Sequence, residues 1–235
     1  MNERMRLILD TARRPTLNMA IDEFLMESQK DSASLPTLRL YQWEAPAYSI
    51  GYFQSVEEVK RRFQCVEKKI PVVRRMTGGG TVPHRDDLTL SLALKESTAP
   101  FLKELKASYL RVNEAIREGL AANYSGLDYA DCRSVPSGRA GKSLACFDKA
   151  SCYDLLLGGK KVVGASQRRQ GGVILHQSSI FLQGDLKILK QQIVQGFKQV
   201  WGVLFVETPL GREELIQAEA LEEKRYAKSE WAFVR

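Results

Sequence analysis

The sequence has 235 residues (26.5 kDa), which is long enough to bury a full hydrophobic core in one domain. Because 44% of the residues are hydrophobic and no apolar run is long enough to span a bilayer, we expect a cytoplasmic protein that has no membrane partner. The net charge of +7 favours an acidic partner, but no zinc-finger, recognition-helix or RNA-binding signature is present, so we expect no nucleic acid.

The first half of the chain predicts strands and helices in mixed order. Residues 5–10 should form a strand, and apolar residues at helical spacing follow from Leu17, with Thr16 available as the N-cap. A short helix should begin after Ser55, which can cap it. Further strands are predicted at residues 37–43, 70–76 and 88–94.

The second half of the chain begins with a long helix, whose apolar stripe runs over residues 102–120. An irregular loop at 124–145, strands with glycine turns over 151–183, and helices near 185–201 and 212–226 complete the prediction. Strands and helices do not alternate regularly, so the sequence predicts an α+β fold: a mixed, mostly antiparallel central sheet flanked by helices. We expect one catalytic domain over residues 1–235 and no separate accessory domain.

The four cysteines are too few for a disulfide framework, and we expect reduced thiols. Cys146 and Cys152 have a spacing that fits no common zinc site, and the two histidines, His84 and His176, lie far from them in sequence. We therefore expect no metal, and a single activated thiol is the more productive hypothesis.

The stretch RRMTGGGTVPHRDDLTLSLAL starts at Arg74 and places three glycines between two apolar strands. Consecutive glycines permit positive φ and let a ligand approach peptide N–H groups, so Gly78, Gly79 and Gly80 suit an anion or a developing oxyanion. Arg74 and Arg75 point to opposite faces if they lie in a strand, so at most one should reach a site there. Taken alone, the stretch is more typical of a sharp turn with solvated arginines.

The stretch GGKKVVGASQ (158–167) predicts a hairpin whose turn contains glycines. Strand alternation turns one of its two lysines inward and places Lys161 on the same face as Val163. The alternative for this stretch alone is an exposed hairpin tip, in which Lys160 and Lys161 are both solvated.

In chain order, four stretches resemble the biotin/lipoate protein ligase and octanoyltransferase family, over nearly the whole sequence. TLNMAIDEFLM is similar to the family's Asn-Met-Ala helix, and LRLYQWEAPAYSIGYFQ to its arene-rich strand ending in Ser-x-Gly-x-x-Gln. RRMTGGGTVPHRDDLTLSL matches Arg-Arg-x-(Ser/Thr)-Gly-Gly-Gly-x-Val-x-His, and KKVVGASQRRQGGVILHQSSI matches the Lys-(Val/Ile)-x-Gly-x-Ala-Gln stretch and the strand after it. The resemblance implies an α+β catalytic domain with a central mixed sheet.

The resemblance also implies where the site lies. Lys161 carries over as a catalytic residue whose ammonium reaches the reacting carbonyl. The pocket for the acyl group or acyl-adenylate should be lined by residues of the glycine loop and of the strand after the lysine: Arg74, Arg75, Thr77, Gly78, Gly79, Gly80, His84, Gly164 and Ala165.

The family has two branches. One activates free lipoate with ATP and passes it from lipoyl-AMP to a carrier-domain lysine, whereas the other takes octanoyl from acyl carrier protein through an enzyme thioester. ACFDKASCYDLLLGGKKVVG resembles the block of the cysteine-dependent octanoyltransferases and places Cys146 fifteen residues before Lys161 (161 − 146 = 15). By that resemblance Cys146 is the nucleophile, although a small buried cysteine would be the plainer interpretation.

The chemistry suits Cys146. Transfer between thioesters is nearly isoenergetic and needs no nucleotide, but the nucleophile must be a thiolate, and an ordinary thiol with a pKa of about 8.5 is only slightly ionised at neutral pH. The ammonium of Lys161 would lower that pKa and stabilise the oxyanion. Cys152 is the alternative thiol, but it falls where the family block has a nonreactive residue.

Three features depart from the family pattern or leave the branch open. The strand reads His176-Gln177-Ser178-Ser179 where the family usually has Gln-His-Gly-Ser, so the roles of His176 and Gln177 stay open. Asp154 stands where both branches have acidic residues. We expect no accessory domain, which would favour the transferase, but compact ligases occur in the family.

The sequence therefore predicts a protein octanoyltransferase that moves octanoyl from octanoyl-acyl carrier protein to a lysine of a lipoyl carrier domain, in lipoate biosynthesis. The carrier would be a glycine-cleavage H protein or a dehydrogenase E2 domain, and no cofactor is expected. The alternative is an ATP- and magnesium-dependent lipoate–protein ligase. A further alternative is a non-catalytic acyl-binding subunit, which would not need both Cys146 and Lys161.

Overall fold

The computed structural model describes residues 3–98, 103–131, 147, 150–228 and 230–231. The strands are β1 (Arg4–Arg13), β2 (Thr37–Trp43), β3 (Ala47–Ile50), β4 (Val72–Arg74), β5 (Val82–His84), β6 (Leu88–Lys95), β7 (Leu127–Tyr129), β8 (Leu155–Leu157), β9 (Lys160–Gln170), β10 (Val173–Ile180) and β11 (Leu204–Glu207). The helices are α1 (Pro15–Ser28), α2 (Val56–Phe63), α3 (Leu105–Leu120), α4 (Leu186–Trp201) and α5 (Arg212–Leu221), which continues into a π-helical turn, Glu222–Tyr226.

The larger of two sheets has eight strands in the order β11-β1-β2-β6-β10-β9-β8-β7. Strand β1 pairs in parallel with β2 and β11, and the pairings from β2 onward are antiparallel. The central strands β6 and β10 are buried almost along their whole length, as expected for strands covered on both faces. The predicted mixed, mostly antiparallel sheet is confirmed.

Helices cover both faces of this sheet. The leucines at alternate positions of β6, from Leu88 to Leu94, join the main core, which includes residues of α3 and α4. Ala93, on the opposite face of β6, packs with Ile21 of α1 and Ala218 of α5. The period of two in β6 therefore divides the core between two helical layers.

Three local features differ from the sequence-based expectation or refine it. Helix α1 begins at Pro15, and Thr16 is not its N-cap: the Thr16 hydroxyl instead donates to the Glu222 carboxylate in the π-helical turn. Ser55 does cap α2, accepting from the Glu58 amide at 3.2 Å. The segment predicted as irregular contains strand β7 at its start.

The smaller sheet, in the order β4-β3-β5, brings the glycine loop against the strand before it. Gly51 directly follows β3, and a methyl group on its Cα would lie 2.0 Å from the Gly79 carbonyl oxygen. No side chain fits there, so the backbone of residue 51 touches the loop. Gly79 has φ +86°, which explains why a glycine is needed at that position also.

A β-bulge in β9 alters the predicted direction of the lysine. Leu155 pairs with Val163 but the next residue, Leu156, pairs with Lys161, so Val162 is an extra residue in the ladder. The Lys161 side chain lies against Gly164, on the face opposite Val163. The expectation that Lys161 shares a face with Val163 is therefore wrong, because strict alternation does not hold across a bulge.

Candidate active site

A small pocket, with about 20 Å³ of accessible space, lies between the two sheets. Its wall combines apolar and hydroxyl-bearing side chains with the backbone of β9: Met19, Tyr41, Trp43, Ser49, Arg75, Val82, His84, Thr89, Gly164, Ala165, Ser166, Gln177 and Ser179. Of the predicted lining residues, the pocket contains Arg75, His84, Gly164 and Ala165, whereas Thr77, Gly78, Gly79 and Gly80 are not among the residues that line it. Polar side chains make up about half of this wall, so the hydrogen bonds among them decide what the pocket can bind.

Arg75 anchors the glycine loop. Its Nη2 donates to the carbonyl oxygens of Gly78 (2.6 Å) and Gly80 (2.7 Å). Nη1 donates to the carbonyl and hydroxyl oxygens of Ser49 at 3.0 and 3.2 Å, and Nε donates to Thr77 Oγ1 at 3.2 Å. A guanidinium has five N–H groups, and each has a partner in the loop or in β3. Arg75 therefore sets the shape of the loop.

Arg74 lies elsewhere, although the resemblance grouped it with Arg75. It is buried, and its Nη1 donates to the carbonyl oxygens of Gly51 and Tyr52, at 3.1 and 2.7 Å. Its Nε donates to the carbonyl oxygen of Trp231 at 3.2 Å. Arg74 does not line the pocket within the part of the chain that the structure describes, and it connects the C-terminal segment to the strand that enters the loop.

His84 is held on both ring nitrogens. Nδ1 lies 2.8 Å from Asp87 Oδ2, and Nε2 lies 2.8 Å from the Ser49 hydroxyl. The ring stacks on Trp43, with centroids 3.8 Å apart. The predicted lining residue His84 is thus part of a chain of hydrogen bonds that runs from the pocket wall to a buried carboxylate.

Thr77 belongs to a second chain of hydrogen bonds. Its hydroxyl donates to Gln177 Oε1 at 2.7 Å and accepts from Ser166 Oγ at 2.8 Å. Gln177 Nε2 donates to Asp22 Oδ2 at 2.7 Å. Thr77 therefore joins the glycine loop to β9, β10 and helix α1 beneath the pocket.

Asp22 is a residue that the sequence did not single out. It is paired with the fully buried Arg39, whose Nη1 lies 2.7 Å from Asp22 Oδ1 and whose Nη2 lies 2.8 Å from Asp10 Oδ2. A buried cation between two carboxylates compensates each desolvated charge. The only available signal was an Asp on an otherwise apolar helix face, four residues after Asn18.

Neighbouring residues of β10 face opposite ways, which answers the open question about His176 and Gln177. Gln177 lines the pocket, whereas His176 is buried against α3, with Nε2 at 2.8 Å from Ser178 Oγ and its ring near Tyr109. Burial, and secondarily the charge of Arg169, lowers the pKa of His176 to about 3. His176 is a neutral core residue in this fold, and Gln177 is the residue at the site.

Lys161 forms a buried ion pair beside the pocket. Its Nζ lies 2.7 Å from Asp154 Oδ2, with side-chain exposures of 4% and 6%, and 5.0 Å from the centre of the Phe147 ring. A methyl group on Gly164 would lie 2.5 Å from Lys161 Cε, so this glycine gives the lysine its space at the pocket wall. Burial raises the pKa of Asp154, and the attraction of Lys161 partly offsets that effect.

Cys146 lies outside the described residues, so its predicted role stays a prediction. Cys152, the alternative thiol, is disulfide-bonded, and the expectation that all cysteines are reduced is wrong at this position. Cys65 is a buried free thiol that is not among the residues lining the pocket, and burial raises its pKa, so it is poorly suited to act as a nucleophile.

The described residues contain neither a cluster suited to a metal ion nor a helix suited to cross a membrane. Among them, no group of three or more His, Cys, Asp or Glu side chains could hold a metal ion. None of the helices in that part of the chain is both long and apolar enough to cross a membrane.

Comparison with known proteins places the chain in a family. Residues 14–203 match the lipoyl protein ligase A/B catalytic domain. The chain is 34% identical over 222 residues to octanoyltransferase LipM of Moorella thermoacetica, which covers 91% of this chain and 79% of that protein. It is 30% identical to octanoyltransferase LipM of Brevibacillus brevis, over 97% of this chain and 98% of that one.

Solved structures share the fold. The putative lipoate protein ligase Ta0514 of T. acidophilum with bound lipoic acid superposes with a TM-score of 0.78 at 22% identity, over 99% of each chain. A lipoate-protein ligase A bound with ATP gives a TM-score of 0.77, also at 22% identity and over 99% of each chain. The matched domain and the LipM relatives, which span most of the sequence, show that this chain belongs to the lipoyl protein ligase A/B catalytic-domain family.

Proposed function

We infer that this protein is an octanoyltransferase of lipoate biosynthesis. The observation that carries this inference is the set of octanoyltransferase LipM relatives, at 30–40% identity, several of which align over more than nine-tenths of the chain. The pocket supports it, since a wall of aromatic, aliphatic and mutually bonded polar groups suits a saturated acyl chain.

We propose that the reaction has two acyl transfers. The Cys146 thiolate attacks the carbonyl of octanoyl-acyl carrier protein, a new thioester forms, and the carrier thiol leaves. The amine of a carrier-domain lysine then attacks the enzyme thioester, loses a proton, and displaces the Cys146 thiolate to give an amide. The free energy of the thioester drives the second step, so the reaction needs no cofactor.

Lys161 would act on the acyl carbonyl in both steps. Its ammonium is held beside the pocket by Asp154 and Gly164, in a place where a positive charge can stabilise the oxyanion of each tetrahedral intermediate. The same charge would favour the Cys146 thiolate over the thiol. Asp154 would keep the ammonium from turning toward solvent.

The acceptor that we propose is a lipoyl domain, of a glycine-cleavage H protein or a dehydrogenase E2. One structural neighbour is described as a bi-partite lipoate protein ligase and its E2 lipoyl domain from Thermoplasma acidophilum, so the fold is compatible with such a partner. Because the proposed donor and acceptors are proteins of the cytoplasm, we propose the same location for this enzyme.

Two observations favour the transferase over an ATP-dependent ligase. The LipM relatives are transferases, and the guanidinium groups of Arg74 and Arg75 donate to backbone carbonyls. Arginines that bound an adenylate phosphate would instead direct their paired N–H groups at the ligand. A neutral thioester carries no phosphate for an arginine to bind.

The decisive experiment tests the intermediate and the energy source together. In a reducing buffer with EDTA and no nucleotide, octanoyl-acyl carrier protein should add one octanoyl mass that hydroxylamine removes. Cys146→Ser should lose this adduct, and the matched control Cys152→Ser should keep it. Full transfer by Cys146→Ala would refute the thioester. Attachment of free lipoate that requires ATP and magnesium, with no reaction from the carrier thioester, would establish the ligase instead.

A further inference from the structure

The pocket wall carries hydroxyl groups, although the substrate that we propose is a saturated chain that can neither donate nor accept a hydrogen bond. Ser49 and Ser166 are both lining residues. A hydroxyl proton that faced the chain would lose its partner when the substrate excluded water, at a cost in affinity. The direction in which each hydroxyl donates therefore matters for binding.

The first chain of hydrogen bonds has its direction fixed by Asp22. A carboxylate only accepts, and Asp22 accepts from Arg39, Ser91, Tyr41 and Gln177 at 2.7 to 2.8 Å. Gln177 must then point its amide nitrogen at Asp22 and its oxygen at Thr77.

The rest of that chain follows from the orientation of the Gln177 amide. Thr77 donates its one proton to Gln177, so it can only accept from Ser166, at 2.8 Å. The Ser166 proton is thereby directed out of the pocket. The hydroxyl of the lining residue Tyr41 is likewise directed at Asp22.

On the opposite wall of the pocket, a second chain of hydrogen bonds ends at the carboxylate of Asp87. This carboxylate accepts from Thr89 at 3.0 Å and faces His84 Nδ1 at 2.8 Å, so Nδ1 must be the protonated nitrogen when the ring carries one proton. His84 Nε2 then accepts from the Ser49 hydroxyl. Trp43 donates its N–H to Thr89 at 2.8 Å, so this donor also faces away from the cavity.

We propose that Asp22 and Asp87 are specificity-determining residues, which select an unsubstituted acyl chain by drawing the hydroxyl protons of Ser166 and Ser49 out of the pocket. This rests on the proposed function for the identity of the acyl group. Apart from the hydroxyl of Ser179, which also lines the pocket, the wall that results presents lone pairs and carbon to the chain. It rejects a chain that carries a hydrogen-bond acceptor, such as an ether oxygen, because lone pairs would then face lone pairs.

Asp22→Asn reverses the first chain of hydrogen bonds with almost no change in shape. Arg39 can only donate, so the new amide must keep its oxygen toward Arg39 and its NH₂ toward Gln177. Gln177 must then turn its oxygen to residue 22 and its nitrogen to Thr77. Thr77 then donates to Ser166, and the Ser166 proton is released into the pocket.

The test compares the binding of several ligands by calorimetry, which needs no turnover. One is octanoyl-pantetheine with an amide in place of the thioester, and the others are ether analogues in which oxygen replaces one methylene at successive positions. The preference for the octanoyl ligand over the best ether analogue should fall by about fivefold or more in Asp22→Asn. The matched control Ser91→Ala removes a donor to Asp22 outside the pocket, and it should keep the wild-type preference.

A second substitution separates this effect from general damage. Asp22→Asn also removes the acceptor of the Tyr41 hydroxyl. Adding Ser166→Ala removes the proton released from Ser166 and should therefore restore part of the preference, which a merely structural role of Asp22 would not allow. If Asp22→Asn does not fold because Arg39 loses a counter-ion, Thr77→Val is the alternative, since it interrupts the same chain of hydrogen bonds. The preference for the octanoyl ligand should fall in Thr77→Val, and adding Ser166→Ala should restore it. An unchanged preference, or one that Ser166→Ala does not restore, overturns the proposal.

The direction of the hydrogen bonds on the opposite wall can be checked directly by spectroscopy. The chain contains only two histidines, so ¹⁵N NMR can assign both rings: His84 should be protonated at Nδ1. Protonation at Nε2 would overturn the proposal for Asp87. If the enzyme transfers no octanoyl group at all, the proposed function fails, while the ligand preferences and the His84 tautomer still decide the direction of the hydrogen bonds.

Discussion

The glycine loop and the lysine hairpin each place a cation at the pocket, but they use the charge differently. Arg75 directs its N–H groups at carbonyl and hydroxyl oxygens of the loop and of β3. Lys161 is paired with one carboxylate, Asp154, and lies in the space that Gly164 leaves open. The arginine fixes the shape of the pocket, and the lysine supplies charge at its edge.

The chemistry of the two side chains explains this difference. A planar guanidinium with five donors is suited to bridging several fixed oxygen atoms, whereas a compact ammonium can approach both a sulfur and an oxyanion. In the proposed reaction, Arg75 therefore holds the loop in place, and Lys161 is the charge that acts on the acyl carbonyl. Loss of Lys161 should affect chemistry most, and changes in the residues that hold the scaffold should affect mainly stability.

The largest expected effect is that of Lys161→Ala. Removing one oxyanion-stabilising donor costs about 10²–10³ in rate, and the variant also loses the charge that favours the Cys146 thiolate. We expect kcat to fall by that factor, and the alkylation of Cys146 to shift to higher pH. Lys161→Arg should be nearly as damaging, because the planar group does not fit the same space.

Lys160→Ala is the matched control for Lys161, since Lys160 is the adjacent, exposed lysine of the same hairpin. It should transfer octanoyl at close to the wild-type rate. If Lys161→Ala stays within a few-fold of wild type and its alkylation profile does not move, Lys161 belongs to the scaffold and the contrast with Arg75 disappears.

Strand β10 has one face toward the pocket, at Gln177, and the other in the core, at His176. The pH dependence of stability tests this assignment of His176. The pKa of His176 is lowered from 6.5 to about 3, by burial first and by Arg169 second. Because the unfolded chain binds the proton more readily, stability is fully present above the unfolded pKa and is lost as pH falls from 6.5 toward 3. The free energy of unfolding should therefore drop by about 2 kcal/mol by about pH 5 from this group alone.

The measurement is urea unfolding at several pH values, in wild type and in His176→Gln. The raised pKa of Asp154, caused mainly by burial, contributes a pH dependence of the opposite sign in both proteins, so the difference between them isolates His176. Wild type should lose more stability than the variant between neutral pH and about pH 5. Equal losses would mean that His176 is already accessible to protons in the folded state.

Much of this site could be predicted from the sequence, because its motifs are local. The glycine loop, the hairpin glycines and the apolar period of β6 depend on neighbouring residues, and the structure has them where they were expected. The direction of Lys161 could not be predicted, since one extra residue at Val162 shifts the alternation. Bulges depend on how strands pair, which the sequence of one strand does not determine.

The features that the sequence did not predict depend on contacts between residues far apart in the chain. Asp22 reaches the site only because α1 packs across β10 and Gln177, which are about 155 residues away. Arg74 was expected in the pocket by resemblance, but its partners include Trp231, which is 157 residues further along the chain. Contacts of this kind follow from tertiary packing, and no local pattern of residues indicates them.

The smallest expected effect concerns that scaffold contact. Trp231 Nε1 donates to the carbonyl oxygen of Arg74 at 3.1 Å, while Arg74 Nε donates to the carbonyl oxygen of Trp231. Trp231→Phe keeps an aromatic ring beside Tyr52 and Tyr226 and removes only the indole donor. We expect the free energy of unfolding to fall by about 1 kcal/mol, the usual net value of one hydrogen bond.

Octanoyl transfer by Trp231→Phe should be unchanged in both kcat and KM, because Arg74 holds the strand before the glycine loop and does not touch the acyl chain. Tyr226→Phe is a useful comparison, since it removes a hydroxyl that donates to buried Glu23 at 2.6 Å, away from the loop. It too should lower stability without changing KM. A rise in KM for Trp231→Phe alone would mean that the C-terminal segment sets the pocket through Arg74, and that this arginine belongs to the site after all.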